Sequence, residues 1–265
     1  MNIVRNSMKR TDGRAHNQFR PINVTYNVFE YAAGSVLYEI GKTKVLCAVS
    51  IQEGVPPFLR GKKTGWLTAE YSLLPTATPT RTVREATTGK RNGRGIEISR
   101  LIGRALRTVV NLDLIGEHTI FIDCDVQQAD GGTRTACITG ASLALKAACD
   151  RWVKEGFIAE SILRDDIAAL SVGIMNSRAL LDVDFMEDSA MESDFNFVMT
   201  RSGMVIEVQG SAERSPLSWE QFESVRSLAT HGIEQLFTQL DDIAQQPSPG
   251  FPLFERLVAQ RTLET

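Results

Sequence analysis

The sequence predicts an α+β fold of two mixed halves, each carrying several strands and a packed helix. Three observations lead there. The chain has 265 residues, 43% of them hydrophobic and 23% charged, which is enough apolar material for one large core shared by two halves. Runs alternating with the two-residue period of a strand interleave with runs of helical spacing along the chain. A proline break near the end then sets off residues 241–265 as an extension from a compact domain over 1–240, with halves at about 12–155 and 156–240. No apolar run reaches membrane-spanning length, and the opening MNIVRNSMKRTDGR lacks the apolar stretch of a signal peptide. A cytoplasmic protein with no membrane partner is expected. The net charge of -3 excludes a globally basic nucleic-acid coat, so any nucleic-acid site is a local patch. The four cysteines, Cys47, Cys124, Cys137 and Cys149, lack CxxC spacing and read as small core residues of a reducing compartment.

Taken in order, residues 34–51 read as two strands around a Gly-Lys-Thr turn. Residues 54–93 are rich in Pro, Gly, Thr and Arg and read as one long functional loop. An amphipathic helix is expected over 95–112, with Ile98, Leu101, Ile102, Ala105 and Val109 inward and Arg94, Glu97, Arg100, Arg104 and Arg107 outward. HTIFIDCDV then alternates as a strand, with Ile120, Ile122, Cys124 and Val126 on one face and Asp123 and Asp125 on the other. A helix carrying Leu143, Leu145, Ala148 and Trp152 follows. In the second half 167–175, 179–185, 194–200 and 205–210 read as strands. Ser218 and Gln221 form a capping box for a last helix with Phe222, Val225, Ala229, Ile233, Leu236 and Leu240 on its apolar face.

Three stretches carry chemistry. The first is Asp130-Gly131-Gly132-Thr133-Arg134-Thr135, between a strand and a helix. Glycines let backbone approach a ligand, a helix N-terminus favours an anion, and Arg134 adds a planar fork suited to phosphate. Thr133 or Thr135 would cap the helix. The local string fits a plain glycine turn equally well. The second is basic: Arg81, Arg84, Lys90, Arg91, Arg94, Arg100, Arg104 and Arg107 stand against only Glu85 and Glu97. Such a run suits phosphate-backbone contact or a charged interface, and equally a solvated helix face with Glu97–Arg100 and Glu97–Arg104 contacts. The third, 180–200, holds Asp182, Asp184, Glu187, Asp188, Glu192 and Asp194 with no Lys or Arg. Alternation sends Leu181, Val183 and Phe185 one way and Asp182 and Asp184 the other, towards solvent, while a bend brings Asp188 near Asp194. Clustered carboxylates hold Mg²⁺ or act as general acids, or merely form an acidic turn. An anion loop, a basic patch and a carboxylate pair together describe phosphoryl transfer.

From about Asp12 to Leu240 the chain also resembles the bacterial ribonuclease PH family of phosphate-dependent exoribonucleases. The resemblance is carried by DGR at 12–14, FRPI at 19–22, GSVL, GKTKVLC, VPPFLRG, GWLTAEYSLLP, RTVRE, EISRLIGRALR, DCDVQQADGGTRTA and EDSAMESDFNFVMT. It implies the ribonuclease PH fold, of the ribosomal protein S5 domain 2-like type, with two βαβα-like halves in one compact domain. It implies phosphate binding by Arg94, Gly132, Thr133 and Arg134, and catalysis by Asp188 and Asp194, which also serve as Mg²⁺ ligands. Arg81 and Arg84, with Arg100 and Arg104 of the basic patch, serve RNA binding or assembly. The implied activity trims 3′ nucleotides of precursor tRNA and other RNA 3′ ends with inorganic phosphate as co-substrate, releasing nucleoside diphosphates, and can run in reverse. The implied assembly is a homo-hexamer built as a trimer of dimers. A catalytically inactive exosome-like ring subunit that binds RNA is the alternative. Two positions depart from the family pattern: Thr76, where an assembly arginine is usual, implies a weaker ring, and Gly95, where Thr is usual, implies a looser helix start.

Overall fold

The computed structural model describes residues 10, 12–84, 87, 89 and 92–245. Strands β1 (Ile22–Tyr26), β2 (Gly34–Ile40), β3 (Thr43–Glu53), β4 (Trp66–Leu73) and β5 (His118–Gln128) form one sheet in the order β1-β2-β3-β5-β4. Its pairings are antiparallel except β4 with β5. A parallel pair needs a crossover, and helix α1 (Gly93–Arg107) supplies it. Helix α2 (Thr133–Lys154) leaves β5 and leads to the second half. There β6 (Ile167–Met175), β7 (Arg178–Leu181), β8 (Ser193–Thr200) and β9 (Val205–Ala212) form an antiparallel sheet in the order β7-β6-β8-β9. A single helical turn, α3 (Phe185–Asp188), links β7 to β8, and α4 (Trp219–Ala244) packs on β6 and β7. The α+β class is as expected.

One core runs through both halves, and α2 joins them. It is buried on nearly every side because it packs on β2 and β3 and also lies along β6. Gly34 of β2 shows how close the first contact is: a Cβ there would sit 2.3 Å from the Ala144 carbonyl oxygen. The second contact is polar. Because β7 pairs with β6 only from Val172 onward, the first part of β6 has an open edge. Thr139 and Ser142 of α2 close it, their hydroxyls accepting from the N–H groups of Ala169 (3.0 Å) and Ile167 (3.2 Å). Buried backbone groups are thereby satisfied without a strand neighbour.

Three expectations are corrected. The 54–93 stretch is not one loop but contains β4, whose Leu67, Ala69 and Tyr71 face inward. Its alternation is short and is diluted by the Pro, Gly and Thr around it. The first helix stops at Arg107, where the Thr108 hydroxyl bonds the Ala105 carbonyl (2.6 Å), so Val109 belongs to the core but not to the helix. The 179–185 strand ends at Leu181, and Asp182 takes a left-handed backbone (φ 50°) and is buried, while Phe185 is exposed. Alternation failed there because a buried cation, Arg20, claims Asp182. The last helix has its Ser218–Gln221 capping box and its apolar face as expected, and runs on to Ala244. Lys90, Arg91 and Glu85 of the basic run, and the extension from 246 onward, lie outside the described residues. All four cysteines are buried and free.

Candidate active site

The turn between β5 and α2 is left-handed at both glycines, Gly131 (φ 79°) and Gly132 (φ 64°), which only glycine adopts at little cost. Gly131 is required twice over, since a Cβ there would lie 2.6 Å from the Val183 carbonyl oxygen, across the junction of the halves. Neither threonine caps the helix. The Thr135 hydroxyl donates back to the Gly132 carbonyl (2.9 Å), and the Thr133 hydroxyl pairs with the Tyr71 hydroxyl (2.9 Å). Gly132 at the N-cap position makes no side-chain cap bond, so the first turn of α2 keeps its N–H groups for a ligand.

Two arginines lie near this helix end, both within electrostatic reach of Tyr71. Arg94 rides on the first turn of α1, which Asn92 caps by accepting the Arg94 N–H (3.1 Å). The looseness expected from Gly95 is thus offset by a cap just before it. Arg134 is steered by the Gln209 side-chain oxygen on β9 (3.0 Å) and by Glu97 on α1 (3.5 Å). Tyr71 lies beside both arginines. Burial pushes its phenol up to about 12, against the Thr133 hydroxyl and the two cations, so it is a neutral hydroxyl at physiological pH.

The carboxylates come from the other half. Asp184 and Glu187 form a capping box on α3, which ends at Asp188. Asp194 lies on β8 between Gly173 of β6 and Ser211 of β9. Its Oδ1 is buried and has no hydrogen-bond partner among the described residues. Desolvation raises the Asp188 carboxyl above the ordinary range, with Asp194 and then Glu213 adding to it and Arg94 and Arg134 opposing. Those neighbours define the site: Asp188 and Asp194, two arginines from the first half, and the open end of α2. Among the described residues no group of three or more His, Cys, Asp or Glu is arranged to hold a metal. What the site offers a cation is a carboxylate pair with one oxygen unsatisfied.

A second, buried set of ion pairs supports the first. Arg20 grips Asp182 through Nε (2.8 Å) and Nη2 (2.6 Å), and its Nη1 donates to the Asp130 carbonyl. Arg10 grips Glu187 in the same forked way (2.7 and 2.5 Å) and also donates to the Leu181 and Asp182 carbonyls. Asp182 and Glu187, two members of the acidic cluster, are therefore structural anchors.

Of the residues expected from the sequence, Arg94, Arg134, Asp188 and Asp194 come within electrostatic reach of one another, beside the Gly132–Thr133 turn. Arg81, Arg84 and Arg100 are exposed, and Arg84 lies within electrostatic reach of Asp125. Arg104 is exposed and forks onto Glu207 of β9 (2.9 and 2.5 Å), with Glu97 adding a weaker electrostatic pull. Arg107 lies over the Trp66 ring, 4.5 Å from its centre. Tyr71, Gln209 and Glu213 were missed. Tyr71 had a signal, since a tyrosine on the inward face of a strand needs a hydroxyl partner. Gln209 and Glu213 had none, as only the tertiary fold brings β9 and its end to α2 and α3.

Residues 18–149 match the model of the 3' exoribonuclease family, domain 1, and residues 165–232 that of the same family's domain 2. Among solved structures, the chain is similar to one described as an Archaeoglobus fulgidus exosome with RNA bound to the active site. The TM-score is 0.75 at 22% identity, covering 88% of this chain and 93% of that one. It is also similar to rice (Oryza sativa) Rrp46, with a TM-score of 0.70 at 20% identity over 86% and 97% of the two chains. An archaeal exosome core gives 0.69 at 22% identity over 86% and 89%. At these identities the likeness is one of fold.

Proposed function

Since the chain belongs to the 3' exoribonuclease family through both of its domains, we propose that it is a phosphate-dependent 3′→5′ exoribonuclease that trims the 3′ ends of RNA, precursor tRNA among them. The observation that carries this reading is the convergence of Arg94, Arg134 and the open end of α2 on Asp188, a carboxyl raised by burial and by Asp194. Inorganic phosphate sits against the two guanidinium groups and the N–H groups of the helix end. One of its oxygens attacks the last phosphodiester, the bond from phosphorus to the 3′ oxygen breaks, and a nucleoside diphosphate leaves. The departing oxygen needs a proton, and a carboxyl raised by its surroundings is suited to donate it. Asp188 takes that role best. Asp194, with its unsatisfied buried oxygen, would hold Mg²⁺, which would neutralise charge on the transferring group. The exposed arginines Arg81, Arg84 and Arg100 receive the RNA backbone or a neighbouring subunit, in a ring of six like subunits arranged as a trimer of dimers. Four buried, free thiols suit a reducing cytoplasm, and no described helix is long and apolar enough to cross a membrane.

An inactive ring subunit is the reading of a different class. The fold is shared with Rrp46 and the archaeal exosome cores, but both arginines and both aspartates stand together here, which an inactive subunit would not need. The test is product analysis on a tRNA with extra 3′ nucleotides. Nucleoside diphosphates should appear only when both phosphate and Mg²⁺ are present, and chelation should stop the reaction reversibly. Asp194→Asn should lower turnover by at least about a hundredfold, the order of one lost group stabilising developing charge, with RNA affinity nearly unchanged. Nucleoside monophosphates without phosphate, or wild-type turnover in Asp194→Asn, would refute it.

A further inference from the structure

The phosphate-binding turn does not hold its own shape. Its backbone polar groups are taken up by side chains from elsewhere in the first half. The Thr43 hydroxyl, at the start of β3, accepts from the Asp130 N–H (3.0 Å) and donates to the Gly131 carbonyl (2.7 Å). Arg20 adds a donor to the Asp130 carbonyl and a longer one to the Gly131 carbonyl (3.4 Å). Thr43 is fully buried, and Arg20 is 3% exposed. The two are placed by one turn: Gly41, left-handed between β2 and β3, lets the Arg20 stem cross it, where a Cβ would meet Arg20 Cδ at 2.5 Å.

Arg20 then reaches across the junction. Its backbone N–H (2.8 Å) and two guanidinium nitrogens (2.8 and 2.6 Å) all bond the Asp182 carboxylate, 2% exposed. Asp182 lies just before Asp184, which caps the helical turn ending in Asp188. One chain of contacts therefore runs from the phosphate turn through Arg20 to the carboxylate segment.

We propose that Thr43 and Arg20 are positioning residues, which fix the phosphate turn and its distance from the carboxylates without touching either substrate. The inference rests on the phosphorolytic reading above. Thr43 governs the turn alone, so its loss acts on phosphate. Arg20 governs both the turn and the carboxylate segment, so its loss acts on phosphate and on turnover. The forked guanidinium is what allows Arg20 to serve several acceptors at once, and a lysine does not reproduce it.

Arg20→Ala leaves the buried Asp182 carboxylate only the longer Arg14 contact (3.5 Å) and is expected to fold poorly, so the decisive variants are Thr43→Val, which keeps shape but not the hydroxyl, and Thr43→Ser, which keeps the hydroxyl. Two readouts are taken: phosphate saturation of diphosphate release at saturating RNA, and the rise in Tm on titrating inorganic phosphate. Thr43→Val should raise the KM for phosphate by about tenfold, the order of one lost hydrogen-bonding group. Its kcat at saturating phosphate and its KM for RNA should stay within about twofold of wild type, and Thr43→Ser should recover the wild-type phosphate KM. Arg20→Lys should raise the phosphate KM and lower kcat together. A wild-type phosphate KM in Thr43→Val, or a fall in kcat with the KM unchanged, overturns the inference. If wild type is stabilised by phosphate but releases no diphosphate, the phosphorolytic reading fails alone, and the phosphate titration of Thr43→Val still decides the positioning role. If phosphate neither stabilises wild type nor supports release, both fall.

Discussion

Asp188 shows how one residue trades stability for chemistry. Desolvation, Asp194 and Glu213 raise its carboxyl, and the two arginines only partly compensate. The folded chain therefore binds this proton more tightly than the unfolded chain does. The resulting stabilisation is complete below the unfolded value of about 3.9 and is lost as pH rises through the raised folded value. Asp188→Asn removes the titration while keeping the shape. Without phosphate or Mg²⁺ it should melt at a higher temperature than wild type near about pH 7, with the gap closing towards about pH 3. Thermal melts across that range check it. A gap that does not change with pH would mean that the charge is not its cause.

Among the elements, the segment from β7 to α3 depends most on one interaction. It turns on Asp182, left-handed and buried, and is tied down by Arg20 and Arg10. Read as a strand, the segment would point Asp182 to solvent and make its replacement mild. The structure predicts the opposite. Asn tolerates the left-handed backbone, so Asp182→Asn isolates the charge. It should destabilise the fold by about 3–5 kcal/mol, because it removes the carboxylate that Arg20 forks onto and leaves it only the longer contact with Asp130 at 4.0 Å. Urea unfolding with an unchanged m-value is the measurement, and a loss below about 1 kcal/mol would place the pair among surface-like contacts. Helix α2 contributes differently. Its uncapped first turn bears the proposed phosphate site, its middle closes the open edge of β6, and its flanks pack on β2 and β3, so it joins the halves.

At the scale of the whole molecule, the exposed surface bears on assembly. Strand β9 is an edge with Val205 and Val208 exposed beside Met204, and Arg81, Arg84 and Arg100 stand free of the core. Arg104 is already paired with Glu207 within the chain, which removes one cation from any interface. Thr76, where the family pattern has an arginine, removes another. A ring weaker than six-fold closure is expected: sedimentation should show species well above the 29.3 kDa chain, shifting towards dimers on dilution and with added salt. A monomer at every concentration would exclude the ring.

By itself the sequence determined most of the elements and the candidate residues of the site. Alternation along Ile120–Val126, the helical spacing from Ile98 to Ala105 and the Ser218–Gln221 box are local patterns, and local geometry follows from them. The glycine turn with Arg134, and the Asp188–Asp194 pair, were legible because their residue types are costly to place together without a use. Only the tertiary structure decided what each polar group faces. It turned Asp182 and Glu187 inward onto arginines of the N-terminal segment, gave the threonines to Tyr71 and to a carbonyl instead of a helix cap, and set Gln209 beside Arg134. The physical reason is that a charge's partner is chosen by distance in space. Those partners lie in other elements, and no local period records which elements will meet.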